Sequence, residues 1–275
     1  MQTRHMIIAA IAIAVIVIGI VIGVGMRAPL AGGSIGVIEI DGIIVSSEHV
    51  VEDLKAFGED PSIRAIVLKI NSPGGEAAAS QEIYDMVKRA HEKKPIISTM
   101  GSVAASGGYY IALPSDVIVA NPGTLTGSIG VIMEWPVLEK LLQKIGVEFE
   151  TVKSKEHKDI GSSYRRMSDR ERQLMQGVVT DVYDQFVSVV AENRNITVDS
   201  VIRYADGRVF TGKQAKDLGF VDTLGSFQTA IDIAAAMVGV DVPHIVYPRR
   251  RVSLIDMFTK PMERLMLPRL RFLWR

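Results

Sequence analysis

Ser106 stands alone among small residues in GSVAASGGYY, residues 101–110. Ala104, Ala105, Gly107 and Gly108 clear an approach to its hydroxyl. Small residues also let a helix pack closely on a sheet, so this stretch by itself fits a packing device as well as a nucleophile. A second glycine turn, NSPGG at 71–75, follows an earlier apolar run. N–H groups at such turns and at helix starts favour negative charge. Paired, the two turns suit acyl transfer. Ser106 would attack a carbonyl, and the N–H groups of Gly107 and Gly74 would receive the oxyanion. One such donor is worth roughly 3–4 kcal/mol of barrier.

A serine hydroxyl needs a base. The strict G-x-S-x-G elbow is absent, because Ala104 stands where its first glycine would be. No histidine sits in a suggestive turn; His157, in SKEHKDIGSS, comes nearest. A lysine serves when burial keeps its amine neutral. Lys153, Lys155 and Lys158 are all available, and spacing does not choose among them.

These residues need a scaffold. AIVLKI (65–70) and PIISTM (95–100) read as strands, the first buried on both faces. GSVAAS reads as a turn and SGGYYIAL as the start of a helix, with DVIVA (116–120) as the next strand. SIGVIEIDGIIV (34–45) breaks at Asp41-Gly42 and predicts a hairpin or two short strands. HVVEDLKAFGED and residues 76–94 have helical spacing, and Pro95 closes the second. PVLEKLLQKIG predicts a helix stopped at Gly146, and VEFETVK (147–153) a strand. Ser168, with Glu171 three residues on, forms a capping box for a long helix to Arg194. Two further helical pieces with a strand between them follow. Alternating strands and helices predict an α/β fold with a largely parallel sheet. Sites in such sheets gather at the strands' carboxyl ends, where both glycine turns fall.

Composition narrows the chemistry. The chain has 275 residues and zero formal net charge, so no global field points to nucleic acid. It has no cysteine, which excludes disulfides, thiolate metal sites and a cysteine nucleophile. The five histidines are scattered, and no metal or cofactor site is expected. Residues 6–26 are uncharged and, as a helix, span roughly 31 Å, about one hydrocarbon core. No clean cleavage site follows, so the reading is an uncleaved anchor rather than a removed signal peptide. Arg4 and His5 favour the N-terminus inside, which puts the rest outside the cytoplasm. The expected division is a stub at 1–5, anchor at 6–26, linker at 27–33, catalytic domain at 34–247 and tail at 248–275. That tail is basic and amphipathic. It reads as a solvated tail, a contact with anionic membrane, or a segment docking on a neighbouring subunit.

NSPGG, ASGGYYIA, TLTGSIGV and HKDIGSSYRRMSDRE, in this order after an N-terminal apolar span, resemble the signal peptide peptidase A family of membrane-bound serine proteases. The resemblance runs from about Ser34 to about Val240. It implies a crotonase/Clp-protease-like fold and a Ser–Lys dyad, both of whose residues lie in one domain in the short, single-repeat members. Ser106 is then the nucleophile and Lys158 the general base. Gly74 and Gly107 form the oxyanion hole, and Ser128 orients the lysine ammonium. Tyr109 and Tyr110 are expected to be core. The implied substrates are remnant signal peptides and other short apolar peptides, bound extended. The implied assembly is a homo-oligomeric ring at the membrane lipid, with helix 168–194 as a contact and grooves shared between neighbouring subunits. The tail has no counterpart in the shared pattern, and its position permits a self-inhibitory or self-processed peptide. The rivals are a stomatin-associated membrane serine protease, whose nucleophile turn reads differently, and a crotonase-like acyl-CoA enzyme, whose phosphate loop is missing here. A non-enzymatic scaffold is disfavoured by the intact Ser106 and Lys158.

Overall fold

A computed structural model describes residues 33–248 and 269–273. The apolar span at 6–26 lies outside them. Among the described residues no helix is long and apolar enough to cross a membrane.

The central sheet is built from strands whose middles are largely apolar runs. β1 (Ser34–Asp41), β2 (Ile63–Ser72), β4 (Ile96–Ala105) and β5 (Val117–Ala120) lie side by side, with β9 (Thr223–Leu224) at one edge and β10 (His244–Val246) at the other. All these pairings are parallel. Such strands are covered on both faces, and the period of two sorts their side chains between two cores. Ile35 and Val37 of β1, with Ala65 and Val67 of β2, pack under helix Phe227–Val238 through Ala230, Ile231 and Ala234. Ile38, Ile40, Ile66, Leu68 and Ile70 face the larger core, against α1 (Glu48–Glu59) and α2 (Ala77–His91). The long helix Asp169–Arg194 closes that core with Phe186, Val187 and Val190.

Three expectations are corrected. Residues 34–45 form no hairpin: β1 pairs with β2 and β10, and after the turn at Gly42 only Ile44 bridges, to Gly75. GSVAA is strand rather than turn, because β4 continues to Ala105, and only Ser106 makes the turn. Its last residues pair with β6 (Leu125–Gly127), and Ala104 pairs with Ser72. Residues 147–153 form no strand; their apolar side chains are exposed and have no ladder to join. The remaining helices include α3 (Gly107–Ala112) and α4 (Glu139–Lys144). The helix Asp169–Arg194 is α5 below.

A second, small sheet has three strands. β3 (Gly74–Glu76) and β7 (Ile132–Glu134) flank β11 (Arg269–Leu273), which runs antiparallel to both.

Candidate active site

β2 and β4 are neighbours in the sheet, and their carboxyl ends hold the two glycine turns. Ser72 pairs with Ala104, so the chain leaves both strands at the same level. The turns touch. A Cβ added to Gly74 would lie 2.7 Å from the Gly107 nitrogen, and one on Gly107 would lie 3.2 Å from the Gly74 Cα and 2.6 Å from Ser80 Oγ. Only glycine lets the two backbones come this close, and Gly74 also takes a φ of 98°.

Ser106 joins β4 to α3 with φ 54° and ψ −115°, a positive φ that residues bearing a Cβ seldom adopt. Three contacts hold it there. Its N–H donates to the Gly127 carbonyl at 2.8 Å. Its carbonyl accepts from the Tyr110 N–H at 2.9 Å. Ala105 pairs with Gly127 just before it. The hydroxyl is buried, and Oγ has no hydrogen-bond partner among the described residues. A buried hydroxyl without a partner carries a desolvation cost of about 1–3 kcal/mol. Strain and an unpaired polar atom at one residue are what a functional position shows and a packing position avoids.

Ser128 follows Gly127 as Ser106 follows Ala105, so the paired strand ends bring the two serines to one place. Ser128 also has a positive φ, 51°, is buried, and donates its N–H to the Arg208 carbonyl at 2.8 Å. The Gly74 N–H donates to Ser72 Oγ at 3.1 Å, so this amide is held within its own turn while no ligand is bound. The Gly107 N–H is the first of α3 and has no carbonyl one helical turn back to bond.

Ser106, Gly107, Gly74 and Ser128 are therefore one constellation. Lys158 is not part of it within one copy. It sits exposed on a short 3-10 turn, Glu156–Asp159, and no bond joins its amine to Ser106. His157 does not reach Ser106 either, and its buried Nδ1 is also without a partner. The turn is firmly held from below. Arg165 donates to both Asp159 oxygens at 2.8 Å and to the Glu171 oxygens at 2.6 and 2.8 Å. Lys153 adds a 2.6 Å ion pair to Asp159. Glu171 closes the expected capping box by accepting from the Ser168 N–H at 2.9 Å. Hydrogen bonds from Arg165, then from Lys153, hold the Asp159 carboxyl far below the usual range. Arg165 and the Ser168 N–H lower that of Glu171 to about 2. Nothing in the Lys158 motif signalled Arg165 as its anchor beforehand, since arginine next to arginine reads as solvated surface.

Tyr109 is core, as expected: it is fully buried, with its hydroxyl donating to the Phe220 carbonyl at 3.0 Å. Tyr110 is buried as well, but the tail contributes to its cover, through Phe272. The groups present fit nucleophilic acyl chemistry: an unpaired hydroxyl, two adjoining glycine amides at helix and strand starts, and a cleared approach.

Residues 88–241 match the model of Peptidase family S49, and residues 42–117 match that of Clp protease. A Synechocystis protein carrying a protease name is 45% identical over 206 residues, which cover 74% of each chain. Protease 4 of Salmonella typhi is 36% identical over 250 residues, 86% of this chain and 40% of that one. A protein of Enterococcus faecium named for signal peptide peptidase SppA is 40% identical over 186 residues, 67% of this chain and 54% of its own. The chain thus spans about half or less of these last two relatives. Among solved structures, a ClpP1 mutant from Listeria monocytogenes superposes with a TM-score of 0.49 at 17% identity, over 71% of this chain and 94% of that one. The extent of the S49 match and of the Synechocystis identity settle the assignment: the chain belongs to peptidase family S49, the signal peptide peptidase A family that its four motifs resemble.

Proposed function

We propose that the protein is a serine endopeptidase that cleaves short apolar peptides, remnant signal peptides among them. Ser106 is its nucleophile and Lys158, supplied by a neighbouring copy, its base. The observation that carries this reading is the Ser106 hydroxyl, buried and without a partner on a strained backbone beside two adjoining glycine amides. In the first step the neutral Lys158 amine takes the Ser106 proton as Oγ bonds to the scissile carbonyl carbon. The carbonyl π electrons move to oxygen, which the N–H groups of Gly107 and Gly74 stabilise. To do so, the Gly74 amide exchanges its bond to Ser72 Oγ for one to the oxyanion. The lysine then returns its proton to the leaving amine, the C–N bond breaks, and an acyl-Ser106 remains. Water deprotonated by the same amine then attacks the acyl carbon, the C–Oγ bond breaks, the lysine ammonium returns its proton to Ser106 Oγ, and the acid leaves. Ser128 accepts a hydrogen bond from the lysine ammonium between these steps.

Placement completes the proposal. The apolar span at 6–26 anchors the chain in a cell membrane, with the catalytic domain on the extracytoplasmic side, close to where cleaved signal peptides remain. The names of the Enterococcus and Salmonella relatives support the proteolytic activity, and that of the Enterococcus relative supports the substrate class.

Hydrolysis of an apolar reporter peptide by the detergent-solubilised chain tests the residue roles. Ser106→Ala and Lys158→Ala should each lower kcat/KM by roughly 10³-fold or more, with a cooperative thermal transition retained at or above the native midpoint. Full activity in Ser106→Ala would refute the nucleophile. Activity kept in Lys158→Ala would move the base elsewhere, with His157 the first alternative.

A further inference from the structure

The turn that carries Lys158 has no apolar anchor. None of the residues of Glu156–Asp159 is buried. Its backbone bonds are local: the Lys158 N–H donates to the Lys155 carbonyl at 3.2 Å, and the Ile160 N–H to that of His157 at 3.2 Å. A single 3-10 turn held by such bonds alone opens easily. Upstream, α4 buries none of its residues either. A general base tolerates little of this freedom, since a displacement of about 1 Å costs about 10²-fold in rate. The position of Lys158 has to come from polar contacts.

Arg165 supplies them, and all five N–H groups of its guanidinium are used. Nε and Nη2 donate to the two Asp159 oxygens, both at 2.8 Å. Nη2 and Nη1 donate to the two Glu171 oxygens at 2.6 and 2.8 Å, and Nη1 also donates to the Arg166 carbonyl at 3.2 Å. Asp159 is the residue after Lys158. Glu171 is itself fixed: it is 3% exposed, stands third in α5, and accepts from the Ser168 N–H at 2.9 Å. α5 is seated in the core by Phe186, Val187 and Val190. A chain of contacts thus runs from the core through Glu171 and Arg165 to Asp159 and the base. Lys153 also reaches Asp159, but it belongs to the same exposed segment and adds no link to the core. A lysine in place of Arg165 is a point charge with three donors and cannot close two bidentate carboxylate pairs at once.

We propose that Arg165 is a positioning residue of the catalytic centre: through Asp159 it ties the Lys158 backbone to the start of α5, so that the amine is presented at one place to Ser106 of the neighbouring copy. The assignment rests on the peptidase reading and deepens it, by naming the residue that aims the base. Arg165 acts on the reaction only through Lys158. Its loss therefore costs rate in a chain that has Lys158 and almost nothing in a chain that lacks it, whereas a merely structural residue costs the same in both.

The test measures hydrolysis of the apolar reporter peptide by the full chain and by Arg165→Lys and Arg165→Met, each with Lys158 intact and with Lys158→Ala. With Lys158 present, both substitutions should lower kcat by roughly 30-fold or more and change KM by less than about threefold. In the Lys158→Ala chain the same substitutions should lower the residual kcat by less than about twofold. An equal loss in the two backgrounds overturns the proposal, as does a native kcat in Arg165→Lys. So does loss of the cooperative thermal transition in both Arg165→Lys and Arg165→Met, which would make Arg165 a residue of the fold alone. Hydrogen exchange reads the anchoring without turnover. The amides of residues 156–160 should exchange about tenfold or more faster in Arg165→Lys than in the native chain, with those of residues 186–190 unchanged. Unchanged exchange at 156–160 overturns the proposal. Faster exchange there in a chain that cleaves nothing keeps the anchor and removes the peptidase reading; cleavage that depends on Ser106 and Lys158 but is indifferent to Arg165 does the reverse.

Discussion

Ser106 holds its φ of 54° because the Gly127 carbonyl and the start of α3 grip it from both sides. The strain this stores is of order 1–3 kcal/mol for a residue with a Cβ and largely absent for glycine. Ser106→Gly and Ser106→Ala should both be inactive, yet the glycine chain should be the more stable by about 1 kcal/mol, after its larger unfolded-state entropy is allowed for. Urea unfolding of the two variants measures this, and equal midpoints would show that the backbone is relaxed. Gly74 makes a sharper demand. With φ at 98°, and the Gly107 nitrogen and the Phe272 oxygen inside any Cβ's radius, Gly74→Ala must displace the turn, the tail strand or both. We expect roughly 10²-fold or greater loss of kcat from a misplaced oxyanion donor, with KM changed less. A normal kcat in Gly74→Ala would remove Gly74 from the oxyanion hole.

The elements that carry these residues were readable to different degrees, and each difference has a physical source. β2 and α5 declare themselves: one is a continuous apolar run, the other opens with a capping box that Ser168 and Glu171 complete. In sequence β4 reads short because Gly101, Ala104 and Ala105 have weak strand preference; the end of its ladder comes from β6 and Ser72, which are tertiary partners. β11 is not legible in sequence, because a strand in the middle of a three-stranded sheet takes its identity from its neighbours, and its own composition reads as a basic tail. The Lys158 turn shows the same limit. Its motif names the lysine, but Arg165 and Glu171 hold the turn in place, and their pairing needs the fold. That pairing sets an acid limit. The folded Glu171 carboxyl, lowered to about 2, lies below its free value of about 4.3. Its stabilisation is therefore present above about pH 4.3 and lost as pH falls through about 2. Native chain and Glu171→Gln should differ clearly in thermal midpoint near pH 5 and converge near pH 2. A gap that does not narrow would mean that the Glu171 charge contributes nothing to holding the turn.

At the scale of the whole molecule, one copy contains both halves of the proposed dyad without joining them. Ser106 Oγ lacks a partner while Lys158 faces solvent. The segment leading to that lysine is unusually apolar for a surface: Val137, Leu141, Ile145, Phe149 and Val152 are all exposed, Val152 at 95%. An exposed apolar stretch next to an unpaired base is what a shared interface would look like in an isolated subunit. Sequence could name the serine and the lysine, but which copy supplies each is a matter of assembly, on which residue identity is silent. Mixing separates the alternatives. Ser106→Ala and Lys158→Ala chains are each inactive alone, and a dyad formed within one copy stays broken in any mixture of them. If neighbours share the site, co-assembled equal amounts should restore about one quarter of the native activity per site, since half of the serines and half of the lysines are intact and meet at random. The measurement needs the two chains unfolded and refolded together, or co-expressed, so that subunits exchange. Recovery near that fraction would establish that the active unit is at least two copies, with each catalytic centre built across their boundary. A mixed assembly with no activity would return Lys158 to its own chain and require the 147–168 segment to fold over Ser106 when substrate binds.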